Sequence, residues 1–135
     1  MILSFIKVYH NNETERTQEN NSGYLYYPKN KTDMFSAGMY KYSTDFWRNN
    51  SISGIAIRVI NDRGDFKSYG QEDLSKPASI TQTDQQDAKF EIMSIQKRKS
   101  DYLIEAKFNL NVFDDNKQMQ KIENGYLRFS ILHID

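Results

Sequence analysis

The sequence predicts an all-β domain: an antiparallel β-sandwich of about eight or nine strands, with a small closed β-barrel of the calycin kind as the alternative. Three observations lead there. Apolar residues recur with a period of two instead of 3.6. Asn-, Asp- and Gly-containing stretches separate the alternating runs. Aromatic residues, which suit a pleated surface, make up 13% of the chain. The 135 residues, 38% hydrophobic, read as one domain over 1–135, large enough to build a core without disulfides or metal staples. The mean hydropathy of −0.79 calls for a very polar exterior. A sheet wet on one face gives both readings at once.

The first strand is expected in "ILSFIKVY", 2–9. The segment from 10 to 22 is polar, Asn-rich and without period, and is expected to be a loop. Strands follow in "GYLYY" (23–27), "MFSAGMYKYS" (34–43) and "SISGIAIRVI" (51–60). In the last of these Ile55, Ile57 and Val59 share one face, opposite Ala56 and Arg58. "NDRGD", 61–65, has the Asn, Asp and Gly that a hairpin turn needs, before a strand in "FKSYG", 66–70. "QEDLSKPA", 71–78, is the next loop, and "ASITQ" (78–82) and "AKFEIMSIQ" (88–96) are strand candidates.

The clearest alternation is "DYLIEAKFNLNVF", 101–113. Tyr102, Ile104, Ala106, Phe108, Leu110 and Val112 fall on one face, and Glu105, Lys107, Asn109 and Asn111 on the other. "DDNK", 114–117, is a hairpin turn, and Asn124-Gly125 a turn or bulge. "YLRFSILHI", 126–134, is the last strand.

The region 52–131 resembles uncharacterised β-sandwich domains found in small lipoproteins and surface-associated proteins of Bacteroidota. "ISGIAIRVIND" matches their first element, and "YLIEAKFNLNVFDDNKQMQKIENGYLRFSI" their last. Ala106 stands where such strands often carry Gly, and Gln118 follows Lys117 with no glycine in the turn. The resemblance implies a sandwich fold and supplies no catalytic residues.

Eighteen basic residues balance eighteen acidic ones without a basic stripe, which argues against a nucleic-acid partner. With no cysteine there is no disulfide, thiolate nucleophile, zinc ribbon or iron–sulfur site. No segment has the length of a membrane span. "MILSFIKVYHNN" is too short in apolar residues for a secretory signal, so the compartment stays open: periplasmic or cell-surface if a leader was removed, cytoplasmic otherwise.

The two histidines, His10 and His133, end the first and last strands and could meet only if those strands paired. No catalytic constellation surrounds them, and no cofactor is expected. Asp114 and Asp115 are the weak metal candidates, since Asp-rich turns can bind calcium. Asp in a hairpin more commonly bonds its own backbone. Arg63-Gly64-Asp65 spells the tripeptide that adhesion proteins present to integrins, yet turn chemistry accounts for it.

The surplus of aromatics between 24 and 47 is the functional cue. Tyr24, Tyr27, Tyr40, Tyr42, Phe46 and Trp47 form the candidate binding surface, because Tyr and Trp combine large contact area with a polar handle; the competing reading places them on the inner face of a sheet as core, with hydroxyls reaching the rim. Tyr24 and Tyr27 fall on opposite faces of one strand, so one face needs a cover. The expected function is a non-catalytic binding or protein-interaction module, acting through an aromatic patch or a sheet edge on a protein partner or a second copy. The alternative is a barrel that carries a small apolar ligand. An inhibitor or immunity-type protein, and an enzyme, come behind.

Overall fold

The structure is a computed structural model, and it describes residues 1–18, 23–30, 35–45, 53–70 and 79–132. It is all-β. In chain order the strands are β1 (Ile2–Ile6), β2 (Thr14–Gln18), β3 (Tyr24–Pro28), β4 (Gly38–Tyr40), β5 (Gly54–Asn61), β6 (Gly64–Lys67), β7 (Lys89–Lys97), β8 (Asp101–Phe113) and β9 (Met119–Leu132). Seven strands form one sheet in the order β1-β5-β6-β8-β7-β4, with β9 paired to β8, and β2 and β3 form a second sheet of two strands. All the strand pairings are antiparallel. One isolated parallel bridge joins Tyr42 to Ile55.

The large sheet folds over itself. A single pair, Lys67 with Phe113, connects β6 to β8 and makes the corner. β1 and β9 stand far apart in the hydrogen-bond order, yet Phe5 of β1 lies 6.0 Å from Phe90 of β7 and 6.1 Å from Phe129 of β9, centroid to centroid. Side chains from the two layers therefore meet inside, as in a sandwich. Among the described residues no pairing joins β1 to β9, so the sheet does not close, which corrects the barrel alternative. Each layer keeps an edge, and apolar side chains fill the space between.

The core consists of Ile55, Ile57, Phe90, Ile92, Ile104 and Leu110, none more than 1% exposed, with Val112, Phe66 and Tyr42 around them. Burying one such aliphatic or aromatic side chain stabilises the fold by about 1.5–3 kcal/mol. β8 presents this face as the alternation requires: Ile104, Ala106, Leu110 and Val112 are buried. Over Gly54–Ile57, β5 is buried on both faces. The segment from Lys41 to Ser43 lies against it, with Ile55 N–H donating to Lys41 O (2.8 Å) and Ser43 N–H to Ile55 O (2.9 Å). Gly54 is needed here, because a Cβ would overlap the Lys41 carbonyl and sit 3.0 Å from the Ser43 nitrogen.

Several sequence expectations change. The strand expected at 2–9 ends at Ile6, and of the one expected at 34–43 the described residues keep Gly38–Tyr40. The polar stretch after His10 holds a 3-10 turn, Asn11–Glu13, and then β2. β2 has no apolar residue, and it is a strand because β3 pairs with it from Thr14↔Pro28 to Gln18↔Tyr24. The strand expected at 78–82 is absent: Ser79 and Ile80 form a bend, and Gln82–Gln85 is a 3-10 turn capped by Thr81 and Asp84. The strand expected at 66–70 starts earlier, at Gly64, and ends at Lys67. Finally, β9 begins at Met119 and not at 126, and of the two readings for Asn124-Gly125 the bulge holds: Glu123 and Asn124 bulge within the strand while Gly125 keeps its register opposite Phe108. Asn124 takes φ 56° there, a conformation that Asn tolerates.

Candidate functional site

The candidate aromatics part company in the structure. Tyr24 is 53% exposed, and beside it Leu25 (45%) and Tyr26 (65%) are also exposed. These three sit on β3, whose only strand partner among the described residues is β2. Alternation puts Tyr24 and Tyr26 on one face and Leu25 and Tyr27 on the other, where Tyr27 is half-buried. Arg16, on β2 opposite Tyr26, places its guanidinium 3.0 Å from the Tyr24 ring centroid. That cation–π contact holds the ring against the hairpin and leaves its other face outward. The hairpin base is fixed by Lys29, whose N–H donates to Glu13 O (2.9 Å) and whose Nζ donates to Asn12 O (2.7 Å).

Tyr40 and Tyr42 lie inside, so the aromatic surface does not extend to them. Tyr40 packs edge-on to Phe5 and Phe90 and donates its hydroxyl to Ser36 O (3.0 Å). Tyr42 is 2% exposed, and its hydroxyl reaches Asn109 O at 3.2 Å. Burial pushes its pKa far above the ordinary tyrosine value. Both residues point inward because they share a parity, while Met39 and Lys41 between and beside them point out. Phe46, Trp47 and His133 lie outside the described residues. His10 is exposed at the start of the first 3-10 turn, where its N–H donates to Glu13 Oε2 (2.8 Å).

The Arg-Gly-Asp tripeptide spans the turn from β5 into β6. Gly64 supplies the positive φ, 142°, and Asn61 Oδ1 accepts from Arg63 N–H at 2.8 Å. Arg63 is exposed. Asp65, however, is a strand residue held by a fork: Arg58 Nε and Nη2 donate to its two carboxylate oxygens at 2.8 and 2.6 Å, and Lys67 Nζ stands 3.2 Å away. The Arg58 hydrogen bonds hold the Asp65 carboxyl below its ordinary pKa. An adhesion receptor would have to break this bidentate pair, so the structure reads the motif as part of the hairpin.

Asp114 and Asp115 diverge. Asp114 Oδ1 accepts from the Asn116 and Gln118 N–H groups at 2.9 and 2.8 Å, an Asp-capped turn. Asp115 faces Lys67 Nζ at 3.5 Å. Among the described residues no group of three potential metal ligands gathers, here or elsewhere.

The outer face of β7, β8 and β9 carries a polar ladder that the sequence did not single out. Glu105 on β8 accepts from Tyr126 Oη (2.7 Å) and Ser94 Oγ (2.9 Å), and Arg128 Nε stands 3.6 Å away. The Tyr126 and Ser94 hydrogen bonds pull the Glu105 pKa down, and the same contact raises that of Tyr126. Ser94 and Arg128 are register partners of Glu105, whereas Tyr126 pairs with Lys107 and leans diagonally to reach it. The sequence shows each residue on its strand but not the registers that bring them together. No family model, no curated protein and no solved structure matches the chain.

Proposed function

We propose that the chain is a non-catalytic interaction module that meets a protein partner through the β2–β3 hairpin. The exposure of Tyr24, Leu25 and Tyr26 on a sheet that has two strands among the described residues carries this reading. A two-stranded hairpin is marginally stable by itself in water, and a partner laid on its apolar side chains would bury them and hold it. Tyr is also among the residues that dominate binding energy at interfaces. A carrier of a small apolar ligand would need an interior cavity, and the space between the layers is occupied by Ile55, Phe90, Ile104 and Leu110.

The test compares wild type with the Tyr24→Ser/Tyr26→Ser double variant, each as bait in an extract of the native host. Both side chains are exposed, so the variant is expected to melt within about 2 °C of wild type. A protein retained by wild type and lost with the variant supports the hairpin as the contact. A protein retained equally by both overturns it.

A further inference from the structure

We propose that the outer face of β4, β7, β8 and β9 is a second binding site, separate from the hairpin, whose ligand is a neutral saccharide. Four side chains line up across the four strands by register: Met39 opposite Glu91, Glu91 opposite Lys107, and Lys107 opposite Tyr126. Lys89 and Asn109 flank this row, and the bulged residues Glu123 and Asn124 close one end. The groove encloses about 630 Å³, open to solvent, within the roughly 300–1,000 Å³ of small-molecule sites.

Three features select the ligand class. The first is unspent hydrogen-bonding capacity. One row away, Glu105, Ser94, Tyr126 and Arg128 satisfy one another. In the groove, the side chains of Lys89, Glu91, Lys107 and Asn124 have no partner among the described residues. The second is charge balance. Two ammonium groups, Lys89 and Lys107, stand against the carboxylates of Glu91 and Glu123, the latter also paired with Lys121 at 3.1 Å, so the groove intersperses both signs and presents no single-sign patch for a polyanion or polycation. The third is a fixed apolar wall. The Tyr126 ring cannot swing freely, because its hydroxyl is tied to Glu105 at 2.7 Å. A sugar hydroxyl donates and accepts at once and can bridge a carboxylate and an ammonium. A pyranose also has a C–H face that lies flat on an aromatic ring. Neutral saccharides therefore meet all three demands.

The experiment is an amide chemical-shift titration of the full chain, raising each probe to about 20 mM so that a millimolar Kd registers. The probes are neutral oligosaccharides built on glucose, galactose, mannose and N-acetylglucosamine, with a sulfated oligosaccharide and a neutral tetrapeptide as counter-probes. At least one neutral saccharide is expected to shift amides at 89–91, 107–109 and 123–126. Tyr126→Ala is expected to weaken it at least about tenfold, and Tyr126→Phe, which keeps the ring but loses the hydroxyl that ties it to Glu105, to weaken it by a smaller factor of about threefold. Should Tyr126→Ala not fold, Lys107→Met takes its place, with the same loss expected. The proposal is overturned if no neutral saccharide moves those amides, if only a counter-probe does, or if Tyr126→Ala or its replacement binds as wild type does. None of these results touches the hairpin.

Discussion

Gly125→Ala tests how the inner and outer faces of the sheet are joined. Gly125 lies opposite Phe108, and Phe108 lies opposite Phe90. A Cβ on Gly125 would come within 2.6 Å of three carbons of the Phe108 ring. Ordinary contact begins near 3.4 Å, so the ring would have to move by about 1 Å. It has little room to do so, because the Phe90 ring stacks against it at 6.2 Å and is itself fully buried. Overpacking of this kind costs about 1–3 kcal/mol. For a chain of this size that is a fall in Tm of about 4–10 °C by calorimetry or circular dichroism. The backbone gives no other reason for a loss, since Gly125, unlike Asn124, does not take a positive φ. A double-mutant cycle isolates the clash. Phe108→Leu, which loses ring contacts at a half-buried site, costs about 1–2 kcal/mol by itself. Combined with Gly125→Ala it is expected to cost at least about 1 kcal/mol less than the two separately, because the shorter side chain vacates the space the methyl needs. If the two effects add to within about 0.5 kcal/mol, the Phe108 ring is not what excludes a side chain at 125.

Three other outcomes follow from the same geometry. Gln85 is 5% exposed; its Nε2 donates to Ser68 O and Asn111 O, and its Oε1 accepts from Asn111 N–H, so Gln85→Leu strands buried backbone groups and is expected to cost at least about 2 kcal/mol in chemical denaturation. Asp65 has a lowered folded pKa, so its contribution is complete above the unfolded value near 4 and is lost as pH falls through the lower folded one; Asp65→Asn is expected to lower Tm at pH 7, with the gap to wild type closing on acidification towards about pH 2. A gap of constant size across that range would show that the carboxylate charge is not what Arg58 uses. Asp114→Ala removes the acceptor for two N–H groups in the β8–β9 turn and is expected to cost about 1 kcal/mol by urea unfolding, with the fold retained.

The strands that could be read from the sequence are those whose pattern records burial on one face. β8 is legible from Asp101 to Phe113 because both its long neighbours are antiparallel and only its inner face is covered. β2 is not legible, since Thr-Glu-Arg-Thr-Gln carries no apolar residue and owes its conformation to a partner ten residues away. The error at 78–82 had a contrary signal in the sequence: Thr81 and Asp84 are three residues apart, and Asp84 Oδ2 accepts from Thr81 N–H at 2.7 Å to cap a turn. Five alternating residues were too few to outweigh it. For the aromatics, composition cannot tell cover from exposure. Tyr24 and Tyr26 repeat the spacing of Tyr40 and Tyr42, but the second pair has Phe5, Phe90 and the 41–43 bridge around it while the first, among the described residues, has β2 alone.

The groove was beyond reach for a further reason: it is a product of registers. Met39, Glu91, Lys107 and Tyr126 are adjacent only because three strand pairings each fall in one particular alignment, and a shift by one residue in any of them would turn that strand's members inward. The row directly beneath is Tyr40, Phe90, Phe108 and Gly125, held by the same three registers. Core packing therefore sets the groove. The aromatic stack fixes β4, β7 and β8 against one another, and at β9 the stack ends on a residue without a side chain, so that the Phe108 ring lies where a Cβ would be. The bulge at Asn124 lies immediately beside it, and Glu123 and Asn124 border the groove. A substitution at Gly125 should thus disturb stability and the groove together, whereas one at Tyr126, half of it in solvent, should disturb the groove and leave the stack intact.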